Sequence, residues 1–241
     1  MVISDFYKLL LLIRKIKNVK LIISGDFDQL PCIGDIKEYN YKESQILKEL
    51  CDHNLLNLTK WRRGDMDMES IKFSNIDNFN KEDFGNNFTE LNVCWTNKTR
   101  ININNIIMTQ KYKKAKTKNY IKLSKLEHDD NSQDLILLNN TPIISKINNR
   151  KLNIINNERF IIKKVNVQDK TLFIKNDRLE LTINSNIFQK LFRVGYCCTT
   201  YCTQGMSINQ SYTIHEFDLM NKHHKYVALS RGCKREFINI I

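Results

Sequence analysis

The stretch LIISGDFDQLPCIG, residues 21–34, carries a short apolar run that ends at Gly-Asp and is followed by Gln and Pro. Because a continuous apolar run closed by glycine is typical of a strand covered on both faces, we predict a strand over residues 19–24. Asp26, Asp28 and Gln29 then lie on the loop at the carboxyl end of that strand. Ligands bind at this edge in open α/β sheets, so the stretch predicts an α/β fold with a polar site on this loop. The alternative is an Asx-type turn in which the two carboxylates cap backbone groups.

The composition indicates a globular protein with a basic surface. The chain has 241 residues, of which 41% are hydrophobic, and this is enough for one large domain or two small ones. It carries 38 Lys and Arg residues against 26 Asp and Glu residues, a net charge of +12. Such an excess favours an acidic partner, with nucleic acid the leading candidate; a lysine-rich surface that serves only solubility is the alternative.

The seven cysteines form no CxxC pair and no metal-type spacing with the five histidines, so we predict no metal site. An odd number of cysteines without a signal peptide favours free thiols and an intracellular, reducing compartment such as the cytoplasm or nucleus. The opening MVISDFYKLLLLIRKIKNVK has too short an apolar length to span a bilayer. We predict an amphipathic helix over residues 3–17 there, and no membrane partner.

Changes in composition along the chain predict its domain organisation. Residues 1–65 are predicted to belong to one α/β domain, and residues 90–241 to a second. Residues 66–89 between them are polar and acidic with few apolar anchors, which is typical of a linker. Within the second domain, short β-rich runs separated by Asn turns at about 135–185 predict a small barrel-like insertion.

Four further elements are predicted from local patterns. KESQILKELCDHN (42–54) favours a helix, and NLLNLTKWRRGD (54–65) favours a short strand that leads to a pair of arginines. ELNVCWTNKTRININNIIM (90–108) favours a strand that ends at Thr96-Asn97 and is followed by a helix.

Five short motifs occur along the chain in this order: GDFDQLP (25–31), LTKWRRGD (58–65), CWTNKTRININ (94–104), TTYCTQG (199–205) and YVALSRG (226–232). GDFDQLP resembles the third motif of the RecD-like branch of superfamily 1 DNA helicases, G-D-x-x-Q-L-P. LTKWRRGD resembles the fourth motif, TTYCTQG the fifth, T-x-H-K-S-Q-G, and YVALSRG the sixth, Y-V-A-L-S-R. CWTNKTRININ is similar to the strand and helix that open the second motor domain of these proteins.

This resemblance implies an α/β fold built from RecA-like P-loop NTPase motor domains, the first of them partial, with a small β-rich SH3-like insertion. It also implies ATP and Mg²⁺ as cofactors. The implied partner is single-stranded nucleic acid, in this family DNA.

The resemblance assigns three side chains to the terminal phosphate of ATP: Gln29 as a sensor, and Arg63 and Arg231 as ligands, the latter as an arginine finger. The chemistry suits these roles, because a positioned amide can respond to a phosphate and a guanidinium can bind phosphate oxygens bidentately. Arg62 lies next to Arg63 and leaves that assignment open. The other implied nucleotide-binding residues are Gly25, Asp26, Gln204 and Gly205.

The strand-binding residues implied by the resemblance are Thr96, Asn97, Thr199, Thr200 and Tyr201. Hydroxyls and backbone N–H groups contact phosphates without reading the base sequence. The sequence departs from the family here, because Tyr201-Cys202 stands where the fifth motif usually has His-Lys. The lysine charge is therefore missing, while Tyr201 could stack on a base.

Two motifs of the family are missing from the sequence. None of the seven glycines is followed by Lys, so there is no P-loop, and no Asp-Glu dipeptide is present to hold Mg²⁺. In relatives these motifs precede a helix like SDFYKLLLLI, so the resemblance implies that Met1 corresponds to the end of the Mg²⁺ motif and that an N-terminal helicase half carries both. We expect that this chain does not hydrolyse ATP alone, and that residues 1–65 are unstable until they dock on that half. The alternative is a non-catalytic nucleic-acid-binding remnant of a helicase.

Overall fold

The computed structural model describes residues 5–31, 41–58, 62–116 and 119–241. The chain divides into two compact units, Met1–Arg63 and Gly64–Ile241, which are described separately below. No helix within the described residues combines the length and the apolar character that crossing a membrane requires.

The helices are α1 (Asp5–Ile13), α2 (Gln45–Leu50), α3 (Asn97–Lys114), α4 (Phe188–Leu191), α5 (Thr200–Thr203) and α6 (Lys222–Leu229). The strands are β1 (Leu91–Cys94), β2 (Ile121–Leu123), β3 (Leu135–Leu137), β4 (Pro142–Ser145), β5 (Arg159–Asn166), β6 (Thr171–Lys175), β7 (Glu180–Asn184), β8 (Phe192–Val194), β9 (Cys197–Thr199), β10 (Tyr212–Ile214) and β11 (Ile238–Ile240). Short 3-10 helices span Tyr41–Glu43, Met66–Ser70, Phe73–Asn78, Lys81–Asp83, Ser185–Ile187, Phe217–Leu219 and Arg235–Phe237.

The first unit contains the two helices that the sequence predicted. α1 buries Leu10 and α2 buries Ile46, and the two helices contact each other. Arg14 donates to Glu49 in an ion pair of 2.8 Å that links the same two segments. α1 ends before the predicted residue 17, and Asn18 beyond it has a φ of 61°, a left-handed conformation that asparagine tolerates and a continuing helix does not.

The predicted strand over residues 19–24 is wrong, since these residues form no regular structure. The side chain of Ile22 is 93% exposed rather than buried. The short strand predicted over residues 54–65 is also wrong where this segment is described, at residues 54–58 and 62–65. The physical reason is shared: a strand needs a neighbour for its backbone N–H and C=O groups, and the described part of this unit contains no other strand.

Residues 66–89, predicted as a linker, pack within the second unit. The 3-10 helices Met66–Ser70 and Phe73–Asn78 bury Met68 and Ile76 completely, and Ile71 between them is also fully buried. The ring of Phe73 lies 4.7 Å from the ring of His223 on α6, measured between centroids. The apolar anchors are sparse, yet each of these three is fully buried.

A parallel sheet forms the centre of the second unit, with the strand order β11-β10-β1-β9. All four residues of β1 are buried, as expected for a parallel sheet covered on both faces. α3 contacts β1 and β9 and buries Ile103 and Ile107. The α/β fold class is therefore confirmed, as are the strand and helix predicted at residues 90–108.

Five antiparallel strands form a second sheet in the order β7-β6-β5-β4-β8. A separate pair, β2 and β3, is also antiparallel. Three aromatic rings pack together beside this sheet. Phe160 of β5 and Phe188 of α4 both contact Phe192 of β8, each with ring centroids 5.7 Å apart. The five-stranded sheet covers most of the interval in which the sequence predicts a β-rich insertion, while its likeness to an SH3 fold stays a prediction.

Candidate functional site

The carboxyl ends of two parallel strands bring several predicted site residues to one edge of the sheet. Thr96 and Asn97 follow β1, and Thr199 and Thr200 lie at the end of β9. The two strands are neighbours, with Cys94 opposite Thr199. In open α/β sheets ligands bind at this edge, so the predicted strand-binding residues lie where a ligand of this fold is expected.

Glu216, which follows β10, organises this edge and was missed by sequence reasoning. Its carboxylate accepts hydrogen bonds from the backbone N–H groups of Trp95 (3.0 Å) and Thr96 (2.9 Å). It also accepts from the hydroxyls of Thr96 (2.8 Å) and Thr99 (2.7 Å). Partial burial acts to raise the pKa of Glu216, but these hydrogen bonds outweigh it and lower that pKa from its ordinary value of 4.5. The carboxylate thus caps the N-terminus of α3 and ties β10 to β1.

The local sequence explains why these groups meet. Thr96 is the N-cap of α3, and its hydroxyl also accepts from the N–H of Thr99 at 3.2 Å. Asn97 accepts a hydrogen bond from Nε of Arg100 at 2.9 Å through its Oδ1 atom. The only sequence signal for Glu216 is its position two residues after the apolar run SYTI, at the carboxyl end of a strand. The partners of Thr96 and Asn97 are internal, and their role in strand binding stays a prediction.

Thr200 and Tyr201 contact α6. Thr200 is fully buried, and its hydroxyl lies 2.5 Å from Nδ1 of His224. The ring of Tyr201 meets the ring of His224 edge-on, with centroids 5.3 Å apart. Burial and the neighbouring His223 lower the pKa of His224 from its ordinary value of 6.5. Tyr201 is half-buried and Thr199 almost fully buried, so Tyr201 is the more accessible of the predicted strand contacts on this segment.

Gln204 and Gly205 are exposed at the turn after α5. Gly205 has a φ of +84°, and no heavy atom lies within 4 Å of the position that a Cβ would take there. Glycine is needed for the backbone conformation rather than for space. The nucleotide-binding role of both residues stays a prediction.

Arg231 follows α6 and is 1% exposed. Its Nε atom donates to the carbonyl of Val227 at 3.1 Å, and one terminal nitrogen donates to the hydroxyl of Ser230 at 2.9 Å. Val227, Ala228 and Leu229 are fully buried, so the apolar run of the YVALSRG motif anchors the residue as the sequence indicated. Its role as an arginine finger stays a prediction.

In the first unit, Asp26 organises the loop that carries Gln29. Its carboxylate accepts from the N–H of Asp28 at 3.0 Å and from Nε2 of Gln29 at 3.0 Å. This is the Asx-type turn that the sequence left open as the alternative. The turn orients the side-chain amide of Gln29, whose role as a phosphate sensor, like the roles of Gly25 and Asp26, stays a prediction.

The fourth motif divides between the two units. Arg63 is half-buried and Arg62 is exposed, while residues 59–61 lie outside the described residues. Gly64 and Asp65 pack within the second unit, where the N–H of Asp65 donates to the carbonyl of Cys233 at 3.1 Å. Asp65 lies two residues after Arg63, and Cys233 lies two residues after Arg231. This hydrogen bond therefore joins the segments that follow the two predicted phosphate-binding arginines.

The cysteines of the described residues are all free thiols. Three of them lie on the neighbouring strands β1 and β9, namely Cys94, Cys197 and Cys198. Cys94 and Cys197 lie with their sulfur atoms 3.5 Å apart. Burial raises the pKa of Cys197 well above its ordinary value, and that of Cys198 to about 12, so both stay protonated near neutral pH. Within the described ranges, no group of three or more His, Cys, Asp or Glu side chains is placed to hold a metal ion.

His215 makes the stability of this edge depend on pH. Burial lowers its pKa from the ordinary 6.5 to about 4, although Glu216 acts in the opposite direction. The unfolded chain therefore binds a proton at His215 that the folded chain does not, and stability should fall as the pH drops from 6.5 to about 4. The slope should be at most about 1.4 kcal/mol per pH unit. We expect His215→Gln to flatten the slope in urea unfolding, because a glutamine can still donate to Asn92 but does not titrate.

His128→Gln is the matched control for this prediction, since it removes an exposed imidazole. It should leave the pH dependence of unfolding as it is in the wild type. If His215→Gln leaves the pH dependence of stability unchanged, His215 does not bind its proton differently in the folded and unfolded states.

Comparisons with known proteins show the fold of the chain. No protein-family model and no curated protein sequence matches it. The Pif1 helicase from Candida albicans superposes with a TM-score of 0.57 at 13% identity, over 90% of this chain and 63% of that one. The Pif1 helicase from Bacteroides in complex with ADP-AlF3 and ssDNA gives 0.55 at 16% identity, over 90% and 60%. Bacteroides Pif1 bound to ssDNA gives 0.53 at 14% identity, over 77% and 51%.

These likenesses concern the fold alone, because the identities are low. The chain shares the mixed α/β fold, with a parallel sheet, of these Pif1 helicases. It spans about half to three fifths of the length of these helicases.

Proposed function

We propose that this chain is the C-terminal half of an ATP-dependent DNA helicase of superfamily 1, in the RecD-like branch. One observation carries the proposal: the ordered motifs from GDFDQLP to YVALSRG occur on a chain that has the fold of Pif1 helicases. The chain supplies a phosphate sensor, an arginine finger and a surface for a single strand. Neither the motifs nor the fold alone would carry this conclusion, since one fold hosts many functions.

Single-stranded DNA is the proposed substrate of the sheet edge. Two of the similar structures are described as bound to ssDNA. In this chain Thr96, Asn97 and Thr199 lie at the carboxyl edge of the parallel sheet, and Tyr201 is half-exposed beside them. The net charge of +12 favours a polyanion, and phosphate contacts through hydroxyls would not depend on base sequence.

ATP with Mg²⁺ is the proposed cofactor of the complete enzyme. One similar structure is described as a complex with ADP-AlF3, which supports nucleotide use in that protein. In this chain Gln29, Arg63 and Arg231 are the proposed contacts of the terminal phosphate. Gly25, Asp26, Gln204 and Gly205 are proposed to lie next to the nucleotide. The P-loop and the Mg²⁺ ligands are proposed to come from another half, because the sequence contains neither motif.

The first unit supports the proposal of a partner half. Apolar side chains in its irregular segments are exposed, namely Val19, Ile22, Ile23, Phe27, Leu55, Leu56 and Leu58. The segment 19–24 has the composition of a buried strand, but the described residues of this unit supply no neighbouring strand for it. An exposed apolar surface of this kind is typical of an interaction site. We propose that the N-terminal helicase half supplies the missing strands, in a reducing intracellular compartment where the cysteines stay free.

A non-catalytic nucleic-acid-binding remnant is the second candidate. The observation that favours it is the Tyr201-Cys202 pair: Cys202 is buried, and its sulfur lies 2.8 Å from a terminal nitrogen of Arg193. In the fifth motif of the family the position of Cys202 usually carries a lysine, whereas here its side chain is buried. A remnant would bind a single strand in a salt-dependent way, without any response to ATP.

ATP hydrolysis by a mixture of this chain with a P-loop half separates the two candidates. The half to use is the protein segment encoded upstream of, or next to, this chain that carries G-x-x-x-x-G-K-[ST]. The helicase proposal predicts hydrolysis that requires both halves and is stimulated by single-stranded DNA. Strand binding that ignores ATP, together with no hydrolysis in the mixture, would support the remnant.

A further inference from the structure

A cavity of about 230 Å³ lies between α3, the loop after β2 and the start of β8, within the second unit. None of the helicase-like sequence motifs accounts for it, although Asn97 and Arg100 of α3 line one wall. A cavity needs only about 10–15 Å³ to hold one water molecule, so this one has room for a larger group.

Two guanidinium groups face this cavity without a carboxylate partner. Arg100 is 1% exposed and donates only to neutral acceptors, the side chain of Asn97 (2.9 Å) and the carbonyl of Asn131 (2.7 Å). Arg193 donates to the side-chain oxygen of Asn157 (3.0 Å) and to the sulfur of Cys202 (2.8 Å). In the described part of the chain neither arginine forms an ion pair. A buried charge without a countercharge is costly, so an anion in the cavity would stabilise both.

The electrostatics of Arg100 agree with this geometry. Burial lowers its pKa from the ordinary 12.5, and repulsion by Arg193 lowers it further. The one carboxylate that lines the cavity, Asp129, is already paired with Lys146 at 2.8 Å. The hydrogen bond from Lys146 outweighs the effect of burial and lowers the pKa of Asp129 below its ordinary value. Three cations and one anion therefore surround the cavity.

Buried polar atoms without partners belong to residues around the cavity. Gln133 and Gln189 line the cavity and are only 7% and 6% exposed. Their Nε2 groups donate to Asn105 (2.9 Å) and to the carbonyl of Ser124 (2.8 Å). The Oε1 atom of each glutamine and the Nε atom of Arg193 have no hydrogen-bond partner among the described residues. These atoms are closed off from solvent, so they do not select the occupant of the cavity, and the choice of ligand rests on the two guanidinium groups.

We propose that this cavity binds a phosphate group, held by Arg100 and Arg193. Phosphate oxygens match the paired N–H donors of a guanidinium. The phosphate belongs either to one unit of a bound strand, which rests on the proposed function, or to a free mononucleotide or phosphate ion.

The test is calorimetric binding of dAMP and of inorganic phosphate to the full chain, its Arg193→Gln variant and a matched control. Lys164→Gln removes one charge from the exposed face of β5, outside the cavity. We expect both dAMP and inorganic phosphate to bind. Arg193→Gln should weaken dAMP binding by about tenfold or more, since it removes hydrogen bonds from a charged group. Lys164→Gln should change it by less than about twofold.

Asp129→Asn provides a variant with the opposite expected effect. It removes the carboxylate that lines the cavity among the described residues, so dAMP should bind about twofold tighter or better. A variant that simply folds poorly could not bind more tightly, so this result separates a site from a structural defect. Equal effects of Arg193→Gln and Lys164→Gln, or no detectable binding of dAMP by the wild type, would overturn the proposal.

Binding of a labelled single-stranded oligonucleotide shows whether the phosphate belongs to a bound strand or to a free mononucleotide. If Arg193→Gln weakens the oligonucleotide and dAMP alike, the cavity takes one unit of a strand. If it weakens dAMP alone, the cavity takes a free mononucleotide. Failure of the helicase proposal would appear instead as absent ATP hydrolysis with dAMP binding intact, so the two failures are distinguishable.

Discussion

Arg231→Ala is expected to lower DNA-stimulated ATP hydrolysis by the mixed helicase halves about a thousandfold. An arginine that neutralises charge on the transferred phosphate typically contributes a factor of this size. The side chain is anchored by hydrogen bonds to the carbonyl of Val227 and the hydroxyl of Ser230. The measurement is kcat for phosphate release with single-stranded DNA present.

Two further variants control this prediction. Arg231→Lys keeps the charge but loses the planar, bidentate geometry, so it should also lower kcat strongly while preserving the fold better. Lys234→Ala removes an exposed cation three residues away, whose ion pair with Glu236 is 3.3 Å long, and it should leave kcat nearly unchanged. If Arg231→Lys and Lys234→Ala have the same kcat, Arg231 is not the arginine finger.

Gly64→Ala is expected to destabilise the second unit by about 3 kcal/mol. Gly64 has a φ of +74°, which costs an alanine about 1–2 kcal/mol. A Cβ there would also lie 2.2 Å from the carbonyl oxygen of Cys233, and overpacking of this kind costs about 1–3 kcal/mol. The same carbonyl accepts the hydrogen bond from the N–H of Asp65, so a shift that relieves the clash breaks this bond. Urea unfolding of the full chain measures the change.

Gly205→Ala is the matched control for the clash. Gly205 has a similar φ of +84°, but a Cβ added there would have no heavy atom within 4 Å. It should therefore lose only the conformational part, about 1–2 kcal/mol. Equal losses in the two variants would mean that Gly64 is not packed on Cys233 in solution.

Local sequence patterns were sufficient for elements whose stability is local or whose partners lie within the chain. The amphipathic pattern before residue 17 predicted α1, and the apolar run before Thr96 predicted β1 with α3 behind it. The apolar run of residues 19–24 failed, because a strand is stabilised by neighbours that the pattern does not contain. The apolar composition of residues 19–24 fits a strand whose neighbouring strands belong to another polypeptide.

The site shows the same limit for individual side chains. The motif pattern predicted that Thr96 and Thr199 belong to one site, and parallel pairing of β1 with β9 places them at one edge. Glu216 could not be predicted as the cap of α3, because its role depends on β10 lying beside β1, a contact between residues more than a hundred positions apart. The polar sequence of α3 gives no signal that Arg100 is buried, and only the fold shows it.

DNA-stimulated ATP hydrolysis by an equimolar mixture of this chain and a P-loop half tests the central claim most directly. The helicase account predicts that neither half hydrolyses ATP appreciably alone, that the mixture does, and that single-stranded DNA increases the rate. A mixture that binds single-stranded DNA but hydrolyses no more ATP than the P-loop half alone would contradict the account.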